Sequence, residues 1–107
     1  MKLVRGYVRE ASVSVIVNAL DQAGASGITV MAAHGRAYAA TGVYRGRSYA
    51  ALSPMCVIDV VASDASVDDI VRVIVDHGHT GHAGDGHVLV LPIDERYSVL
   101  TRWRDVA

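Results

Sequence analysis

The sequence predicts an α+β domain with the element order β-α-β-β-α-β. Three observations carry this. Two stretches repeat apolar residues at i, i+3, i+4, i+7, four short runs are rich in β-branched residues, and together they fall into two matched strand–helix–strand halves. That order is the ferredoxin-like plan, an antiparallel four-stranded sheet with two helices on one face. The plan hosts many unrelated functions, so function has to be argued from the loops.

The chain has 107 residues, the size of one domain. A chain this short buries roughly 60–70 % of its unfolded surface, enough for one modest core. It is 51 % hydrophobic and 20 % charged, ordinary for a folded domain. A net charge of −1 argues against a nucleic-acid surface, which needs a basic excess. The single cysteine, Cys56, rules out an internal disulfide and sits among apolar neighbours as a small core residue would. The opening "MKLVRGYVRE" alternates polar and apolar residues and has no signal-peptide core, and no apolar run approaches membrane-spanning length. The expectation is a cytoplasmic protein.

Leu3 to Val8 reads as the first strand. In "ASVSVIVNALDQAG", Val13, Ile16, Val17 and Leu20 share one helical face, and Gly24 supplies the stop. "GITVMAA" at 27–33 is the second strand and "CVIDVVA" at 56–62 the third. Ser66 with Asp69 predicts a capping box ahead of a helix whose face carries Val67, Ile70, Val71 and Ile74. Asp76-His77-Gly78 closes that helix, and Val88 to Leu91 is the fourth strand.

Two segments exceed what such a plan requires. Residues 34–54, "HGRAYAATGVYRGRSYAALSP", stand where a tight turn would suffice. They carry Tyr38, Tyr44 and Tyr49 with Arg36, Arg45 and Arg47, without sustained periodicity. This predicts a structureless recognition loop. The second is the turn at 79–87, "HTGHAGDGH". Its three glycines allow positive φ and close approach of the backbone, and successive N–H groups there can form a nest for an anion. His82 and His87 add donors when protonated. A plain helix-to-strand turn is the alternative. So is a metal site, since His77, His79, His82 and His87 fall within eleven residues and His34 adds a fifth; yet no HExxH or paired cysteine accompanies them. No hydrolytic residue set is visible, and no catalytic residue is assigned.

"TGHAGDGHVLVLPIDE" at 80–95 resembles the TGKxGDGK-plus-strand signature of the PII signalling family. "GITV" at 27–30 resembles that family's GMTV. Gly35-Arg36, then Tyr44-Arg45-Gly46 and Tyr49, resemble its long T-loop. The resemblance covers residues 1 to about 97, three matches in the right order.

The resemblance implies a homotrimer of ferredoxin-like subunits with an adenine nucleotide in each inter-subunit cleft. A small domain with one open sheet face has physical reason to associate. Gly84, Asp85 and Gly86 would hold phosphates through backbone N–H groups, with His87 beside them. Gly35 and Arg36, at the base of the T-loop (34–54), would add a cation. Ile28 and Thr29 of one subunit, with Val61 and Ala62, would line the adenine pocket. The T-loop, through Tyr44, Arg45, Arg47 and Tyr49, would dock on a regulated transporter or enzyme, including a transporter approached from the membrane surface. Tyr49 stands where some members are uridylylated, although the flanking sequence lacks the usual acidic context.

The departures from the family pattern are as informative. The family's glutamine after the GR pair, a magnesium and 2-oxoglutarate contact, is Ala37 here, and the lysine that closes the T-loop is Met55. The cleft lysines are His82 and His87, and the two C-terminal arginines correspond to Ser98 and Leu100. Arg102 and Arg104, in the tail at 93–107, would replace the lost cations if the tail folds back; otherwise it is a solvated basic tail. A lysine is a permanent cation, whereas histidine, with a reference pKa of about 6.5, is mostly neutral at pH 7. Charge-assisted hydrogen bonds contribute about 1.5–3 kcal/mol each, so these losses favour ADP or AMP over ATP and weaken any response to 2-oxoglutarate. The pattern is similar to divergent PII-like proteins of inorganic-carbon transport and carboxysomes, with bicarbonate as a candidate effector and no tightly bound metal. A metal-binding trimer using the histidines and an ATP/2-oxoglutarate nitrogen regulator are the alternatives.

Overall fold

The computed structural model describes residues 1–36, 41–44, 47–50 and 52–105. Strand β1 (Lys2–Val8) leads through a short 3-10 turn at Glu10–Ser12 into helix α1 (Val13–Gln22). Strand β2 (Ile28–Gly35) follows, then a small hairpin of β3 (Thr41–Tyr44) and β4 (Arg47–Ala50), then β5 (Ser53–Ala62). Helix α2 (Val67–Gly78), strand β6 (Gly86–Pro92) and a two-residue pair, β7 (Tyr97–Ser98) with β8 (Trp103–Arg104), complete the chain.

The main sheet has the order β2-β5-β1-β6 with every neighbouring pair antiparallel, as the ferredoxin-like plan requires. Side chains alternate across it. Val4 and Val8 of β1 and Cys56, Ile58, Val60 and Ala62 of β5 point to the face that the helices cover. Ile16 and Leu20 of α1 and Ile70 and Ile74 of α2 meet them there and close the core. Gly6 belongs to this face, and a Cβ on it would stand 3.0 Å from Ile74 Cγ2. The opposite face carries Leu3, Arg5 and Tyr7 on β1, Val57, Asp59 and Val61 on β5, and Leu89 and Leu91 on β6, which stay 44 % and 37 % exposed because no helix covers them among the described residues.

Three expectations need correction. The 34–54 stretch is not without structure: β2 runs on to Gly35, β5 begins at Ser53, and Thr41–Tyr44 pairs with Arg47–Ala50. The capping box at Ser66 does not form. Ser66 already has helical backbone angles, and its hydroxyl turns back to Ser63, 2.9 Å from that residue's Oγ and 3.2 Å from its carbonyl oxygen. Asp68 and Asp69 in the first turn face the positive end of the helix dipole instead. The last strand starts at Gly86, two residues before Val88, so Gly86 and His87 are strand residues.

Candidate functional site

The antiparallel sheet brings the C-terminal ends of β1 and β2 and the N-terminal ends of β5 and β6 to one end of the molecule. A cleft of about 580 Å³ opens there. Tyr7, residues 33–36, Met55, the 82–86 loop and His87 line it. The Tyr7 and His87 rings stand 4.9 Å apart and tilted by 31°. Among the described residues Arg36 has no ion-pair partner, so its guanidinium is available to an anion in the cleft.

The loop is organised by Asp85. Its carboxylate accepts hydrogen bonds from the Thr80 amide at 2.7 Å, the Gly81 amide at 2.9 Å and the Thr80 hydroxyl. Arg9, from the far end of β1, donates from Nε at 3.0 Å. The Thr80 hydroxyl and amide, and then Arg9, hold the carboxyl well below the ordinary carboxylate range. Asp85 is therefore an ionised internal staple, and its own amide donates to the His82 carbonyl at 3.3 Å. That bond closes a turn in which Gly84 has φ +93°, as the third residue of a type II turn requires. The amides of Ala83 and Gly84 have no acceptor among the described residues. Gly86 has φ +106°, and a Cβ there would fall on the Tyr7 carbonyl oxygen. The loop thus presents two consecutive amides, those of Ala83 and Gly84, with no acceptor among the described residues, on a cleft that both residues line, an arrangement that suits an anion.

Six of the predicted site residues meet in this cleft: Gly35, Arg36, Gly84, Asp85, Gly86 and His87. Asp85 differs in role from the expectation, since its amide is spent inside the turn. Ile28, Thr29 and Val61 lie at the opposite end of the sheet, seven residues up β2 from Gly35 in the case of Ile28, or roughly 23 Å at strand rise. One chain cannot unite the two sets. Ala62 is corrected outright as a lining side chain: it is 3 % exposed and packed in the core beneath the helices. Arg45 lies outside the described residues, and of Tyr44, Arg47 and Tyr49 only the backbone pairing in β3 and β4 is described.

The tail does not return its cations to the cleft. Arg104 pairs with Glu95 at 3.3 Å and Arg96 with Asp105 at 3.0 Å, within the tail itself. Nor do the histidines gather as a metal centre. His77 Nδ1 lies 2.9 Å from the Val73 carbonyl, and His82 Nδ1 is 3.3 Å from the Thr80 hydroxyl. Among the described residues no three His, Cys, Asp or Glu side chains converge with metal-binding geometry. Sequence reasoning missed Arg9, Tyr7 and Thr80. The roles of Arg9 and Tyr7 depend on how β1 and β6 pair, which no local pattern displays, while Thr80 meets Asp85 within the loop itself.

Fold and cleft together define a ferredoxin-like domain with a glycine-rich loop on its cleft and a small hairpin inserted between β2 and β5. The chain matches the family model for the nitrogen regulatory protein P-II over residues 1–102, and it belongs to that family. It is 36 % identical over 104 residues to the nitrogen regulatory protein P-II 2 of Methanothermobacter thermautotrophicus, covering 94 % of this chain and 90 % of that one. It is 33 % identical over 104 residues to the nitrogen regulatory protein P-II of Azospirillum brasilense, with 94 % and 93 % covered. The nitrogen fixation nifHD region glnB-like protein 1 of Methanococcus maripaludis is 31 % identical over 102 residues, with 95 % and 96 % covered. Members of the family are signalling and regulatory proteins rather than enzymes, are generally trimers that act on partner proteins, and bind adenine nucleotides. Among the described residues no helix is long and apolar enough to cross a membrane.

Proposed function

We propose that this chain is a homotrimeric regulator that binds an adenine nucleotide in the cleft between Arg36 and the 82–86 loop. The nucleotide state is passed through the 34–54 loop to a partner, a transporter or a metabolic enzyme, in nitrogen or inorganic-carbon metabolism. The observation that carries this is one cleft lined both by Arg36, which has no ion-pair partner among the described residues, and by Ala83 and Gly84, whose amides have no acceptor among them. The uncovered sheet face, with Leu89 and Leu91 exposed, supports association. Assembly would also supply the cleft with Ile28, Thr29 and Val61 from a neighbouring subunit, which a single chain holds too far away.

Among the described residues lining the cleft Arg36 is the permanent cation, and the other basic groups are His34, His82 and His87. One fixed charge suits a di- or monophosphate better than a triphosphate. ADP and AMP are therefore the favoured ligands and bicarbonate a candidate effector. The names of the relatives favour a second reading, an ATP and 2-oxoglutarate sensor of nitrogen supply.

Calorimetric titration with ATP, ADP and AMP, each with and without 2-oxoglutarate and bicarbonate, separates the two. ADP or AMP tighter than ATP and indifferent to 2-oxoglutarate supports the first. Mg-ATP binding strengthened by 2-oxoglutarate supports the second, and no binding by any of them overturns both. Arg36→Ala is expected to weaken nucleotide binding roughly 10- to 150-fold, the equivalent of one charge-assisted contact.

A further inference from the structure

The side chain of Arg9 makes two contacts to the loop 74 and 76 residues away. Nη2 donates to the Ala83 carbonyl oxygen at 2.7 Å, and Nε donates to Asp85 Oδ1 at 3.0 Å. Both matter to the cleft, for different reasons.

The first concerns geometry. A trans peptide carries its C=O and N–H on opposite sides, and no peptide here is cis. The Ala83 carbonyl and the Gly84 amide belong to one peptide plane. Holding that carbonyl on Arg9 therefore turns the Gly84 N–H the other way. Gly84 lines the cleft, and its amide has no acceptor among the described residues. With Gly84 at φ +93° the adjoining peptide is free to rotate unless something fixes it. Arg9 is what fixes it.

The second concerns charge. A carboxylate in a phosphate-binding loop repels the ligand. Asp85 is 19 % exposed and lines the same cleft. The Thr80 and Gly81 amides engage Oδ2, the Thr80 hydroxyl and Arg9 engage Oδ1, and the guanidinium supplies the only full positive charge among these four donors. His79, with Nδ1 3.8 Å from Oδ2, adds charge only when protonated.

We propose that Arg9 is the positioning residue that makes the 80–86 loop an anion receptor, aiming the Gly84 amide at the cleft and cancelling the Asp85 charge beside it. It does so through the loop rather than by touching the ligand. The inference rests on the nucleotide reading above and goes beyond it by assigning the receptive state of the loop to a residue just beyond the end of β1.

The test compares the full-length chain with Arg9→Met and Arg9→Lys, titrating ADP, inorganic pyrophosphate and adenosine. Arg9→Met is expected to lose roughly tenfold or more in affinity for both ADP and pyrophosphate. Adenosine affinity and oligomeric state should stay near the wild-type values, while the thermal midpoint falls modestly with loss of the Arg9–Asp85 pair. Arg9→Lys should recover part of the loss, because an ammonium neutralises Asp85 without the guanidinium fork that also reaches Ala83. Equal ADP affinity in wild type and Arg9→Met overturns the inference and leaves the nucleotide reading standing. A parallel loss of adenosine binding also overturns it, since damage to the whole fold would then explain the result. A wild-type chain that binds neither ADP nor pyrophosphate overturns the nucleotide reading and this inference with it.

Discussion

Arg5 and Asp59 stand directly opposite each other on β1 and β5 and form a two-pronged ion pair, Nε to Oδ1 and Nη2 to Oδ2, both at 2.8 Å. They lie on the sheet face that the helices leave uncovered, with Leu3, Tyr7, Val57 and Val61 around them. A cross-strand pair of opposite charges supports the register of the two central strands, while a like-charged pair there would oppose it. Asp59→Arg is therefore expected to lower the thermal midpoint clearly, and the swap Arg5→Asp with Asp59→Arg to recover most of the loss. Melting curves with sedimentation velocity check this; a swap no more stable than the single variant would show that the pair contributes nothing specific.

Gly86 is the glycine whose absent side chain matters most. Its φ is +106° and a Cβ would fall on the Tyr7 carbonyl oxygen, inside the β1–β6 ladder. Gly81 has φ +85° but nothing within 4 Å of a Cβ. Gly81→Ala should therefore cost about 1–2 kcal/mol, the left-handed penalty alone. Gly86→Ala should cost more than that, because β6 must also move away from β1. Urea unfolding of the two variants gives the comparison, and equal losses would refute it.

The helices were the most legible part of the fold. Val13, Ile16, Val17 and Leu20 were spaced for one buried face, and Ile16 and Leu20 are 0 % exposed. Ile70 and Ile74 are buried likewise, 6 % and 1 % exposed. The core strand β5 was read from Cys56 onward, because Ser53 and Pro54 carry no strand propensity, yet pairing with Gly35 and His34 draws them into the ladder. The β3–β4 hairpin escaped for a related reason. Its one local sign was the Arg45-Gly46 pair between Tyr44 and Arg47, a two-residue connection with glycine second. In the cleft, the glycines and Arg36 were readable from spacing. The staple was not, because Arg9 and Asp85 are neighbours only after β1 and β6 pair. Asp85 illustrates the limit: a GDG motif indicates an anion site, but not that the acid is its support rather than its ligand.

The histidines of the cleft predict a gain from a permanent cation. His34, His82 and His87 line it where ammonium groups would serve a phosphate. His87→Lys should raise ATP affinity roughly 10- to 100-fold, the equivalent of one added charge-assisted contact. Calorimetric titration of ATP into both chains measures the gain, and equal affinities would mean that Arg36 and the loop amides carry the phosphate alone.

Asp85 sets the acid limit of the loop. Its folded-state pKa lies below the ordinary carboxylate range because the Thr80 hydroxyl and amide, and then Arg9, bond the charged form. A depressed pKa contributes stability that is fully present above the unfolded value, about 3.9, and is lost as the pH falls through the folded one. From pH 8 to 5 this contribution should be constant, and below about pH 4 it should decline progressively. Asp85→Asn removes the charge at every pH, so it should lower the thermal midpoint at pH 7 and by somewhat less at pH 3, the gap closing only as the pH nears the folded-state pKa. The Thr80 and Gly81 amides, which the carboxylate accepts at 2.7 and 2.9 Å, should exchange with solvent faster in the variant, and in the wild type only at low pH. A gap between wild type and Asp85→Asn that is the same at pH 7 and pH 3 would assign the loss to shape rather than charge, and the staple would no longer be ionic.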